Sequence, residues 1–142
     1  MTDLKLLALD AEDLEVVSAT TQDGVVRVGD MGFAQADKRF ALLMNRYAWE
    51  IGGDRSKGQR KRSALSFDRV NAVAASEIDL NAHEGVLELL DIRFIETDAP
   101  AGTIDLRFAG GGTIRLTVEC LEARLEDLGA AWAAKAKPEH AL

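Results

Sequence analysis

The sequence predicts an α+β fold: a bent antiparallel meander of about seven strands, an open barrel or half-barrel, with an N-terminal and a C-terminal helix. Three observations carry that prediction. After Gly24, apolar and polar residues alternate through most of the chain. Glycine-containing or polar turns interrupt the alternation at short intervals. Only two stretches, one near each end, place apolar residues at helical spacing behind leading acids.

The elements follow in order. Leu4 to Leu9 (LKLLAL) reads as a short strand. Asp10 is placed as a helix N-cap, with Glu12 and Asp13 where the helix dipole favours negative charge. Leu9 and Leu14 are spaced to staple the helix start, and Gly24 is placed to end it. Residues 11–23 are therefore the first helix, with Leu14 and Val17 facing inward. Val26 and Val28 differ in parity from Met31 and Phe33, which predicts a bulge at Gly29-Asp30. The segment RFALLMNRYAWE then returns antiparallel on Phe40, Leu42 and Met44, so that Phe33 faces Phe40 and Met31 faces Leu42.

Ser63 to Phe67 and Val70 to Ile78 are two further strands about Asp68-Arg69, and VLELLDIRFIE (86–96) is another with a parity change near Leu89-Leu90. Thr103 to Phe108 and Thr113 to Val118 alternate cleanly, each burying one face. The intervening AGGGT is a hairpin turn and not a phosphate loop, because strands flank it on both sides. In ECLEARLEDLG, Leu121, Leu125 and Leu128 lie at helical spacing before Gly129, which predicts the second helix. Residues 1–132 form one domain and 133–142 a tail. The arrangement is similar to pleckstrin-homology-like folds, a likeness that carries no function with it.

A chain of 142 residues can bury one sizeable core without metals or disulfides. Its net charge of −7 points away from a protein that coats nucleic acid. No apolar run approaches the roughly eighteen residues of a membrane span. The start lacks a cleavage pattern, and the single Cys120 cannot form an internal disulfide. These features lead to an expectation of a cytoplasmic protein without membrane attachment.

Against this acidic background, GGDRSKGQRKR concentrates Arg55, Lys57, Arg60, Lys61 and Arg62. The reading is a solvated loop between strands, and its alternative is an arm that meets phosphates or an acidic partner. Tyr47 and Trp49 stand just upstream, close enough to add stacking on a single strand, although Trp49 reads first as core and only then as a rim aromatic. A second candidate lies on the solvent face of the last hairpin. If Phe108 faces Ile114 and Leu106 faces Leu116, Arg107 lies opposite Arg115. Pairing Phe94 with Ile104 puts Asp91 beside Arg107 and Arg93 beside Asp105. Arg115 is then left without a partner; the row reads first as a surface charge lattice worth little stability, and its alternative is an anion or acidic-peptide site at Arg115.

Catalytic signals are weak. Cys120 sits between Glu119 and Glu122 with neither histidine near, and reads as a small buried apolar residue. His83 and His140 lie too far apart to suggest a metal set, and no cofactor motif is present.

The stretches LKLLALDAEDLEVVSATTQDGVVRVGDMGF, KRFALLMNRYAWE, RSALSFDRVNAV and FAGGGTIRLTVECLEARLEDLG together resemble the bacterial family catalogued as domain of unknown function 2948. The resemblance runs from Leu4 to about Trp132. It implies a small cytoplasmic protein, with no established activity, cofactor or catalytic residue to carry over. The expectation is a non-catalytic binding or protein-interaction module for a protein partner or anionic ligand. The alternatives are an enzyme or ligand sensor assembled from distant residues around His83 or Cys120, and nucleic-acid contact through the basic loop. A partly open sheet also leaves room for a homodimer paired edge to edge.

Overall fold

Period-two alternation builds ten antiparallel strands, and one α-helix accompanies them in the computed structural model, which describes residues 4–48 and 60–129. The tail expected at 133–142 lies outside the described residues, as do Trp49 and Trp132. In chain order the elements are β1 (Lys5–Ala8), α1 (Ala11–Thr21), β2 (Val25–Arg27), β3 (Met31–Ala34), β4 (Arg39–Tyr47) and β5 (Arg60–Phe67). There follow β6 (Val70–Ser76), β7 (Val86–Glu96), β8 (Gly102–Phe108), β9 (Thr113–Val118) and β10 (Ala123–Asp127).

Across the sheet the order is β1-β10-β5-β4-β2-β7-β8-β9-β6, with β3 a further neighbour of β4. Among the described residues the path is open, because β1 and β6 each end it with a single neighbour, and the expected barrel is not formed. A 3-10 turn at Val28–Asp30 takes the place of the expected bulge. It splits the strand, so β2 joins β7 while β3 stays with β4.

Both halves of the sheet turn one face into a single apolar cluster. Phe40, Leu42, Leu65 and Phe67 come from one half, and Ile104, Leu106, Ile114 and Leu116 from the other. Each such side chain contributes about 1.5–3 kcal/mol when fully buried. The helix α1 packs against β7, β1 and β4 and adds Leu14 and Val17 to that cluster. Its Asp10 cap is as predicted, with the Asp13 amide donating to Asp10 Oδ1 at 2.8 Å. The Ile92 amide donates to Ser18 Oγ at 2.9 Å, which ties the helix to β7 just past the irregularity between Leu89 and Asp91. Leu9 is 57% exposed and contributes no buried staple. Asp23, at φ 65°, and not Gly24 takes the left-handed position after the helix. Gly24 is needed for space: a Cβ there would lie 2.9 Å from the Thr21 carbonyl oxygen and 3.0 Å from Met44 Sδ.

The hairpin of β3 and β4 has the predicted register, with Met31 opposite Leu42 and Phe33 opposite Phe40. The C-terminal helix does not form. Residues 123–127 make β10, inserted between β1 and β5. Ala123, Leu125 and Asp127 point inward while Arg124 and Glu126 point away. The spacing of Leu121 and Leu125 satisfies both a helical and a strand period, and as a strand the segment pairs on both sides while burying Ala123, Leu125 and Asp127.

Candidate functional site

The predicted row of charges exists, but it is satisfied internally. Asp91 faces Arg107, Arg93 faces Asp105 and Phe94 faces Ile104, as the alternation predicts. On the next pair of strands the register differs by two residues: Asp105 faces Arg115, and Arg107 faces Thr113. The tightness of the turn is the cause. Phe108 N–H donates to the Gly112 carbonyl at 2.8 Å, and Gly110 and Gly111, at φ 88° and 96°, reverse the chain sooner than expected. A shift of two preserves the buried face and changes only the partners on the solvent face.

Arg115 is therefore not unpaired. Its Nε and terminal nitrogen donate to the Asp105 oxygens at 2.7 and 2.9 Å, and Arg107 grips Asp91 in the same way at 2.7 and 2.6 Å. The hydrogen bond from Arg107 holds the Asp91 carboxyl below its ordinary range, and that from Arg115 does the same for Asp105. Both bidentate forks are committed within the sheet.

Arg60, Lys61 and Arg62 do not lie in a loop. They open β5, where ladder pairing with Tyr47, Arg46 and Asn45 extends the strand. The Arg60 guanidinium sits 3.9 Å from the Tyr47 ring centre and donates to the Asn45 carbonyl at 3.0 Å. Arg62 donates to Asp30 at 3.2 Å. Arg55 and Lys57 lie outside the described residues.

An ion pair that sequence reasoning missed lies under β4 and β10. Arg46 has no exposed surface, and its Nε and terminal nitrogen donate to Asp127 Oδ1 and Oδ2 at 2.9 and 2.8 Å. Ser63 Oγ donates to Asp127 Oδ1 at 2.6 Å, and the Leu4 amide donates to Oδ2 at 3.0 Å. Burial works to raise the Asp127 carboxyl, but the bonds from Arg46, Ser63 and Leu4 outweigh it and hold the group below the ordinary range. With its oxygens occupied by the protein's own donors, Asp127 pins β1, β4, β5 and β10 together. The signal was present: Phe40, Leu42 and Met44 set an inward parity that continues to position 46. A charge at an inward position calls for a buried partner.

An apolar concavity lies between β3 and β6. Its volume is about 420 Å³, with Met31 and Phe33 on one wall, Val73 and Ala75 on the other, and Phe40 and Ile114 beneath. Among the described residues β3 pairs only with β4 and β6 only with β9, so each bordering strand has an unpaired edge. Backbone bonds close both ends. Val70 N–H meets the Lys38 carbonyl at 2.9 Å, and Gly29 N–H meets the His83 carbonyl at 2.9 Å. Arg27, His83 and Glu84 form a polar rim, where Arg27 is 3.4 Å from Asp30 and 3.7 Å from Glu84.

A family model matches residues 4–140 of the sequence. The chain belongs to the family described as "Protein of unknown function (DUF2948)". Comparisons with curated proteins and with solved structures return no match.

In this DUF2948 chain the candidates for chemistry are dispersed. His83 lines the apolar cleft, but the carboxylates held below their ordinary range, Asp91, Asp105, Glu119 and Asp127, do not. Cys120 is partly exposed between β9 and β10, not buried as expected, and no helix begins beside it. Among the described residues no three His, Cys, Asp or Glu side chains gather as metal ligands. No helix there is long and apolar enough to cross a membrane.

Proposed function

We propose that this protein is a non-catalytic interaction module that takes a short, extended peptide segment into the cleft between β3 and β6. The observation that carries the reading is the pair of strand edges bordering one apolar slot. Unpaired backbone donors and acceptors beside an apolar floor are matched by another peptide backbone, whereas a purely hydrocarbon ligand leaves them unsatisfied. Edge strands are usually guarded by charge, proline or a cover. β6, VNAVAAS, carries neither a charged side chain nor a proline along its whole length, while the opposite edge strand β1 carries Lys5.

The closed ends limit what fits. β3 spans only Met31–Ala34, so the occupant pairs over about four residues, or roughly 13 Å of extended chain. Side chains of that segment would alternate between the Phe40–Ile114 floor and solvent. The recognised sequence therefore has apolar residues two apart.

A random peptide library displayed on phage and panned against the immobilised full chain tests this. Enrichment of short sequences with apolar residues at alternate positions, lost when Ala75→Arg fills the slot, is the expected result. No enrichment, or enriched peptides that bind the Ala75→Arg chain equally well, would overturn it. Concentration-dependent self-association that Ala75→Arg abolishes would instead assign the edges to a second copy of the chain.

A further inference from the structure

We propose that a second cleft, on the other side of the Lys38 corner, binds a small phosphate monoester that also carries an amino or hydroxyl donor. This cleft, about 450 Å³ in volume, lies among the 3-10 turn Gln35–Asp37, the Asp68-Arg69 turn and β10. It is separate from the peptide slot and does not depend on that reading.

Around this cleft Lys38 is tied to Glu119, and Arg39 to Asp68 at 2.8 Å. Arg107, Arg115 and Arg46 are held by aspartates elsewhere. Arg69 and Arg124 have no carboxylate within ion-pair distance among the described residues, and both line this cleft. Arg69 adds to the field that lowers the Glu119 carboxyl, yet among the described residues neither guanidinium is held in a carboxylate fork. In a chain of net charge −7, two such groups on one concavity keep donors for a further oxyanion.

Both arginines start from a fixed backbone. Arg69 is held at φ 61°, a conformation that non-glycine residues adopt at a cost. Three backbone bonds enforce it: Asp68 N–H to the Glu122 carbonyl at 3.0 Å, Val70 N–H to Lys38 at 2.9 Å, and Glu119 N–H to Arg69 itself at 2.9 Å. Arg124 lies mid-strand in β10, opposite Leu7 on one side and Ser66 on the other. Anchored stems lower the entropy lost when the two guanidinium groups converge on one oxyanion.

The acids of the cleft narrow the class of ligand. Asp37 and Glu122 also line it; among the described residues neither has a cation within ion-pair distance, although both are near enough to Arg39 to favour its charged form. They repel a bare polyanion, yet they accept hydrogen bonds from an amine or hydroxyl. Attraction for one end of the ligand and repulsion of the wrong charge at the other together give selectivity. A phosphate monoester with a donor a few atoms from the phosphorus satisfies both.

Isothermal titration of the full chain at fixed ionic strength, with O-phosphoethanolamine and separately with inorganic phosphate, tests the assignment. Phosphoethanolamine is expected to bind saturably and about fivefold more tightly than phosphate, the gain of one added hydrogen bond. Arg124→Ala and Arg69→Gly, the glycine preserving the left-handed backbone, are each expected to weaken it at least about tenfold. Arg124→Lys, which keeps the charge and loses the fork, gives a second variant should the alanine chain fold poorly, and it too is expected to bind more weakly. Arg93→Ala, on β7, is expected to bind like the parent. Absence of saturable binding, or unchanged affinity in the Arg69 and Arg124 variants, would overturn the site. Equal affinity for phosphate and phosphoethanolamine would overturn the role given to Asp37 and Glu122.

Discussion

Around β10 the ladder continues on both sides: β1 and β5 flank it, β4 follows β5, and Arg46 and Asp127 lock together beneath. Around β6 the ladder stops, β3 stops opposite, and an apolar cleft separates them. The first region buries a charge pair and satisfies it with a hydroxyl and an amide. The second leaves backbone groups without strand partners beside exposed alanines. The contrast sets a region cross-linked through its interior against one where, among the described residues, the ladder ends beside a cleft.

Breaking the locked side should have the largest effect. Asp127→Ala strands the Arg46 guanidinium in the core and is expected to cost about 3–5 kcal/mol in urea unfolding. A loss below about 1 kcal/mol would mean that the pair does not organise β10. Ser63→Ala removes a single donor from the same carboxylate, and a smaller loss of about 1–2 kcal/mol is expected.

Acid should erode the same region. Asp127, Asp91 and Asp105 all have folded values below the ordinary carboxylate range. Their contribution is complete above the unfolded value near pH 4 and is lost as pH falls through the lower folded values. Unfolding free energy should therefore decline from about pH 4 downward, and less steeply in Asp127→Asn than in the parent. An equal slope in the two chains would remove Asp127 from this role.

On the open side, Ala75→Arg should change stability by no more than about 0.5 kcal/mol, because Ala75 is exposed. The same change should eliminate peptide binding. Arg115→Ala removes a fork that is geometrically like that of Arg46, but its side chain is 56% exposed and Arg107 stays near the Asp105 carboxylate. The expected loss is about 0–1 kcal/mol, measured in parallel with Asp127→Ala as the buried counterpart.

What was legible in the sequence was what neighbours in the chain decide. Asp10 capped its helix, and the β3–β4 register followed from Phe33 and Phe40, because one short link joins apolar partners that must meet. The charge row was readable as far as Asp91–Arg107. It failed at Arg115 because parity fixes the face of a residue and not the length of a glycine turn. The C-terminal strand was hidden by its own inward charge: Asp127 breaks an apolar alternation that only the distant Arg46 makes physically acceptable. The two clefts had no local signature, since each gathers segments separated by dozens of residues. Arg69 and Arg124 become noteworthy only once the partners of the other cations are known.

The central claim is that the edges of β3 and β6 receive a peptide strand. Amide hydrogen exchange on the full chain, with and without a peptide enriched in the display experiment, tests it most directly. New protection confined to Met31–Ala34 and Val70–Ser76, with β4, β5 and β10 unchanged, is the predicted result. Binding that leaves both edges exchanging as in the free chain would contradict it.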